Sequence, residues 1–147
     1  MFADTLLAIL HHIFAFSLMA MLAAELVLVR PGLTGEALRR VAGLDRGYGL
    51  AALLVFAVGI MRLIWGAKGW EYYASNPWFW IKMALFVVVG ALSIKPTMRF
   101  MRWQKSMKAD NGFSVPAAEL AGARRLIHTQ IGLFILIPVA AALMARY

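Results

Sequence analysis

The chain has 147 residues, is 63% hydrophobic with a mean hydropathy of +0.75, and carries a net charge of +8. That composition leaves too little polar surface for a water-soluble domain of this size and points to one compact domain in a bilayer. The absence of cysteine excludes a disulfide framework, a thiolate metal site and a thiolate haem ligand. The basic residues flank apolar stretches, so anionic lipid headgroups account for the charge and nucleic acid is not expected as a partner.

A helix needs about 20 mostly apolar residues to cross a bilayer. The first such span is expected over about residues 5–29. Its only early charge is Asp4, and its apolar run is too long for the core of a signal peptide, so it reads as a retained helix. Arg30-Pro31-Gly32 stops it. The second span is expected over about residues 47–66. The third, about 77–95, is opened by Ser75-Asn76-Pro77, a capping side chain followed by proline at the first helical position. Pro96 either ends this helix or kinks it. Beyond it, Thr97 to Lys108 reads as a basic amphipathic extension at the membrane surface, broken by Asp110-Asn111-Gly112. The fourth span is expected over about residues 125–145, with a kink at Pro138. The fold class is therefore an all-α, integral-membrane four-helix bundle forming a single domain.

The loops differ in charge. The first carries Arg30, Arg39, Arg40 and Arg46, and the third carries Lys95, Arg99, Arg102, Lys105, Lys108, Arg124 and Arg125. The second carries only Lys68, with Arg62 at its edge. Loops one and three are thus expected in the cytoplasm and both termini on the outer, periplasmic side of a bacterial inner membrane. The second loop also holds Trp70, Tyr72, Tyr73 and Trp78, rings suited to a membrane–water interface.

Ionisable residues inside a span are costly unless they face protein, water or a partner. Helical phase sorts them. His11, Leu18 and Glu25 share a face of the first span, whereas His12 points about 100° away. Lys82, Val89 and Ser93 share a face of the third, and Tyr48, Val55 and Arg62 share one of the second. Depth then suggests two polar layers. The outer one holds His11, Lys82 and Arg62. The inner one holds Glu25, His128 and Tyr48, with Asp45 or Arg46 nearby. His11 and His128 are too far apart in depth to ligate one haem from its two sides. Bland readings compete: Lys82 and Arg62 as snorkelling end residues, Glu25 paired with an arginine, His12 at the lipid edge, His128 bonded between helices.

The segments "LAILHHIFAFSLMA", "GLDRGYGL" and "NPWFWIKMALFVVVGALS" resemble an uncharacterised bacterial family of four-helix membrane proteins classed as a domain of unknown function. More distantly, the layout is similar to HemJ-type protoporphyrinogen oxidases and CopD-like membrane domains. The HemJ resemblance implies a b-type haem pocket using a first-helix histidine and a lysine that begins the third helix, here His11 and Lys82. Glu25 before Arg30 and the doubled His11-His12 depart from the HemJ pattern.

The leading expectation is therefore a haem b protein of the membrane, a possible oxidoreductase. His11 would be an axial iron ligand, Lys82 a second ligand or propionate partner, and Arg62 another propionate partner. A quinone or porphyrin would be its substrate. Glu25, His128 and Lys82 would serve a proton or ion path in a transport reading. His11, His12, Met61 and Met83 would serve copper. A non-catalytic subunit or assembly factor is the remaining reading, and Gly59, Gly90 and Ala91 allow close helix contacts within one chain or in a homo-oligomer.

Overall fold

The computed structural model describes residues 2–147. It consists of α1 (Phe2–Leu28), α2 (Gly35–Trp65), the short α3 (Gly69–Ala74), α4 (Pro77–Ala109) and α5 (Ala117–Arg146). Among the described residues there is no strand. Every helix but α3 is long and apolar enough to cross a membrane, four in all. In hydrocarbon each backbone amide must find its partner within its own segment, and an unbroken helix achieves this.

Three helices outrun their expected spans. α2 begins at Gly35 instead of near residue 47, α4 runs through Pro96 to Ala109, and α5 begins at Ala117 instead of near residue 125. At about 1.5 Å per residue, α4 is about 50 Å long, well beyond a hydrocarbon core of about 30 Å. Hydropathy locates the membrane-crossing part of a helix, not its continuation into water. Pro96 forgoes only the bond to the Leu92 carbonyl, and it is itself buried. The segment beyond it is the expected amphipathic extension, but it does not lie apart. Phe100 and Trp103 are completely buried against the rest of the bundle. Pro138 likewise sits inside an uninterrupted α5.

The helices form two antiparallel pairs, α1 with α2 and α4 with α5, joined chiefly where α2 meets α4 and α1 meets α5. The backbones of α1 and α4 do not approach each other among the described residues, so these two stand diagonally opposed. Cross-helix contacts set the register. The His11 ring lies over Gly59, Phe56 stacks on Phe86, Thr97 bonds to Asp45, and Asn76 bonds to the backbone of Met144. The buried positions recur at helical spacing: Leu18, Leu22, Glu25 and Val29 on α1, and Val89, Pro96, Phe100 and Trp103 on α4.

One end of the bundle carries both termini and α3; the other carries most of the arginines and lysines. They are called here the α3 end and the basic end. At the α3 end, Asn76 caps α4 by accepting from the Trp78 amide at 3.0 Å. The same side chain donates to the Met144 carbonyl at 2.9 Å, and the Tyr72 hydroxyl donates to that carbonyl at 3.0 Å. Two donors thus satisfy a carbonyl that the final turn of α5 leaves unpaired. At the basic end, Arg124 donates to the carbonyls of Leu26 and Val29, closing the last turn of α1. Glu119 accepts from Trp103 Nε1 at 2.7 Å and from Arg102 at 2.6 Å, fastening α5 to the α4 extension.

Candidate functional site

Side chains of α1, α2, α4 and α5, with Tyr73 of α3, line a partly open cavity of about 110 Å³ toward the α3 end. Its walls are apolar, among them Val55, Phe56, Phe79, Met83, Phe86 and Phe134. Three nitrogen-bearing side chains enter it: His11 from α1, Arg62 from α2 and Lys82 from α4. The residues grouped by phase and depth as an outer layer therefore line one space.

Local sequence explains their approach. Gly59 presents no side chain, so the His11 imidazole packs against α2; a Cβ there would lie 3.5 Å from His11 Cε1, an ordinary contact. The imidazole also lies against the Val55 backbone carbonyl. Its Nδ1 is buried and, among the described residues, has no hydrogen-bond partner. The same holds for Arg62 Nε. The Lys82 ammonium sits 5.5 Å from the centre of the Phe79 ring, within cation–π range. It is half-buried and lines the cavity from α4. Phe56 and Phe86 are nearly parallel, with centroids 6.3 Å apart, and form the wall where α2 meets α4.

A second polar layer lies toward the basic end. Glu25 of α1 is 2% exposed, and it faces Asp45 and Tyr48 of α2, both buried. Asp45 accepts from Thr97 Oγ1 of α4 at 2.8 Å. Glu25 Oε1 has no hydrogen-bond partner among the described residues. Leu18 and Leu22, each 1% exposed, separate this layer from the His11 cavity.

His128 does not join this layer, contrary to expectation. It is exposed on the outside of the bundle, because Ile127 and Gln130 take the inward phase of α5. Arg46 is likewise exposed while its neighbour Asp45 turns inward. His12 is exposed, and its Nδ1 lies 2.6 Å from the Ala8 carbonyl one turn back. Sequence reasoning overlooked Gln130, which is 1% exposed with Oε1 unpartnered among the described residues. Its signal was available: a lone amide between Ile127 and Phe134 on the inward stripe of an apolar span. It also overlooked Thr97, assigned to the extension, and the Met144 carbonyl, a backbone group no side-chain pattern reveals.

Among the described residues no cluster of three or more His, Cys, Asp or Glu side chains is positioned to hold a bare metal ion. The site is instead an apolar chamber with one imidazole and two cations converging on it. A model of the family described as "Predicted membrane protein (DUF2214)" matches residues 3–147. The chain belongs to this family. Neither a curated protein nor a solved structure matches the chain. Membership accords with the four apolar helices and extends over both polar layers, from His11 to Gln130.

Proposed function

We propose that this protein is a haem b-binding redox protein of the bacterial inner membrane, with both termini in the periplasm and the cavity toward that side. The charge asymmetry of the loops supports the orientation, since arginine and lysine collect on cytoplasmic loops. The observation that carries the cofactor reading is the unpartnered Nδ1 of His11, buried where Lys82 and Arg62 converge. A buried imidazole nitrogen without a protein partner could ligate the iron. Two cations match two propionates, Arg62 through its planar fork and Lys82 as a point charge. Phe56, Phe79 and Phe86 supply aromatic walls for a flat macrocycle.

The donor chemistry fits haem; the volume of the cavity is too small for a whole one. Small-molecule pockets run from about 300 Å³ upward. Binding therefore requires the helices that line the cavity to part. Haem would supply one-electron chemistry, while the chain's residues orient it, hold its carboxylates and keep water out. The small volume favours a second reading, in which the cavity takes the headgroup of a membrane quinone, its carbonyls accepting from Lys82 and Arg62.

The deciding experiment is the absorption spectrum of protein purified in mild detergent from cells with ample haem, oxidised and then dithionite-reduced. A stoichiometric b-type spectrum is expected. A folded, colourless protein would remove haem and leave the quinone reading, which a bound-lipid extract analysed by mass spectrometry would test.

A further inference from the structure

Glu25 has no part in the chemistry proposed for the cavity, yet its position is costly. Its side chain is 98% removed from solvent, and one carboxyl oxygen accepts nothing. No cation compensates it. The two ion pairs among the described residues, Arg40–Glu36 and Arg102–Glu119, lie elsewhere. The charged and titratable groups around it are few. From α2 come Asp45 and Tyr48. Arg46 is exposed and acts on Asp45. From α5 comes Arg124, but its guanidinium is engaged by the Leu26 and Val29 carbonyls. From α4 comes Thr97, uncharged, while Lys95 is exposed.

Two carboxyl groups facing each other in a membrane interior, without a counter-cation, are tolerated when a proton or a small cation accompanies them. The surroundings favour the proton. Thr97 already donates to Asp45, fixing that carboxyl as an acceptor. A calcium or magnesium ion would demand six or more oxygen ligands, more than this layer assembles.

We propose that Glu25, Asp45 and Tyr48 form an exchangeable proton site, separate from the cavity. The proton rests on the Glu25 carboxyl, beside Asp45, and exchanges with those of water: the O–H bond on Glu25 breaks as one forms on a water oxygen, and a proton from water takes its place. Tyr48 is buried beside the pair, and Thr97 holds Asp45 in place. The site requires no haem and stands or falls apart from the cavity reading.

The test is infrared difference spectroscopy on purified, haem-free, full-length protein in H2O and D2O. The wild type should show a protonated-carboxyl C=O band that shifts to lower frequency on deuteration. Glu25→Gln should lose the band. Asp45→Asn should keep it, at a shifted frequency. Absence of the band in the wild type overturns the proposal, as does its failure to shift in D2O. Its persistence in Glu25→Gln, or its loss in Asp45→Asn, overturns the assignment to Glu25. Loss of the band on adding sodium at fixed pH would make this a cation site instead. If Glu25→Gln does not fold, the wild-type exchange and Asp45→Asn still decide.

Discussion

Thr97 Oγ1 donates to Asp45 Oδ1 across 2.8 Å, tying α2 to α4 one residue beyond the proline that interrupts the backbone ladder of α4. Thr97→Val keeps the shape and removes the donor. Interhelical hydrogen bonds in membranes contribute about 0.6 kcal/mol on average and up to about 1.7 kcal/mol. A loss toward the upper end is expected, because Asp45 would keep a buried carboxyl without its donor. Unfolding in mixed detergent at neutral pH measures it; an unchanged midpoint would show that the contact is incidental.

Separating the adjacent histidines is the sharpest test of the cavity. His11→Ala should abolish haem retention, whereas His12→Ala, changed on the exposed face, should retain most of it. Haem-to-protein ratios after purification distinguish them. The reverse order would reassign the ligand and the face of α1 that matters.

Lys82→Met keeps the length of the side chain and discards its charge. If Lys82 holds a propionate or meets the iron, the variant should shift the Soret band or lose haem severalfold on dilution. Equal spectrum and occupancy would reduce Lys82 to its cation–π contact with Phe79.

Asn76→Ala removes a helix cap and the donor to Met144 together. Cap loss alone costs about 1 kcal/mol. Because Tyr72 donates to the same carbonyl, the variant should destabilise the bundle without unfolding it. Asn76→Ala combined with Tyr72→Phe should cost more than the two singles summed, since only the pair orphans the carbonyl. Chemical denaturation of the three variants reads this directly.

Glu119 lies before the apolar span of α5, at the aqueous margin. Hydrogen bonds from Trp103 and then Arg102 hold its carboxyl below the usual range. A carboxyl lowered in the folded state stabilises the fold above its unfolded pKa, and that contribution fades as pH falls through the folded value. Wild type should therefore melt above Glu119→Gln at neutral pH, and the gap should close in acid. A gap independent of pH would assign the effect to packing around Trp103.

Much of this was legible in the chain. Four spans, the capped start of α4 and the meeting of His11, Arg62 and Lys82 follow from hydropathy and helical phase, because a bundle turns one stripe of each helix inward. The helix ends were not legible, since α2, α4 and α5 continue where the apolar signal stops. His128 was misplaced for a related reason. Depth put it near Glu25, but depth says nothing about azimuth, and Gln130 two residues later occupies the inward direction. Thr97 was hidden by its basic neighbours, which suggested a detached surface helix while Phe100 and Trp103 were already pointing inward.

The leucine pair between the two polar layers limits what either can tell the other. Fourteen residues of α1 separate His11 from Glu25, about 21 Å of helix. At an effective dielectric constant of about 20, unit charges that far apart interact by about 0.8 kcal/mol. A change of charge at one end thus alters an equilibrium at the other by no more than a few-fold. Any tighter coordination between them must travel as movement of the helices themselves.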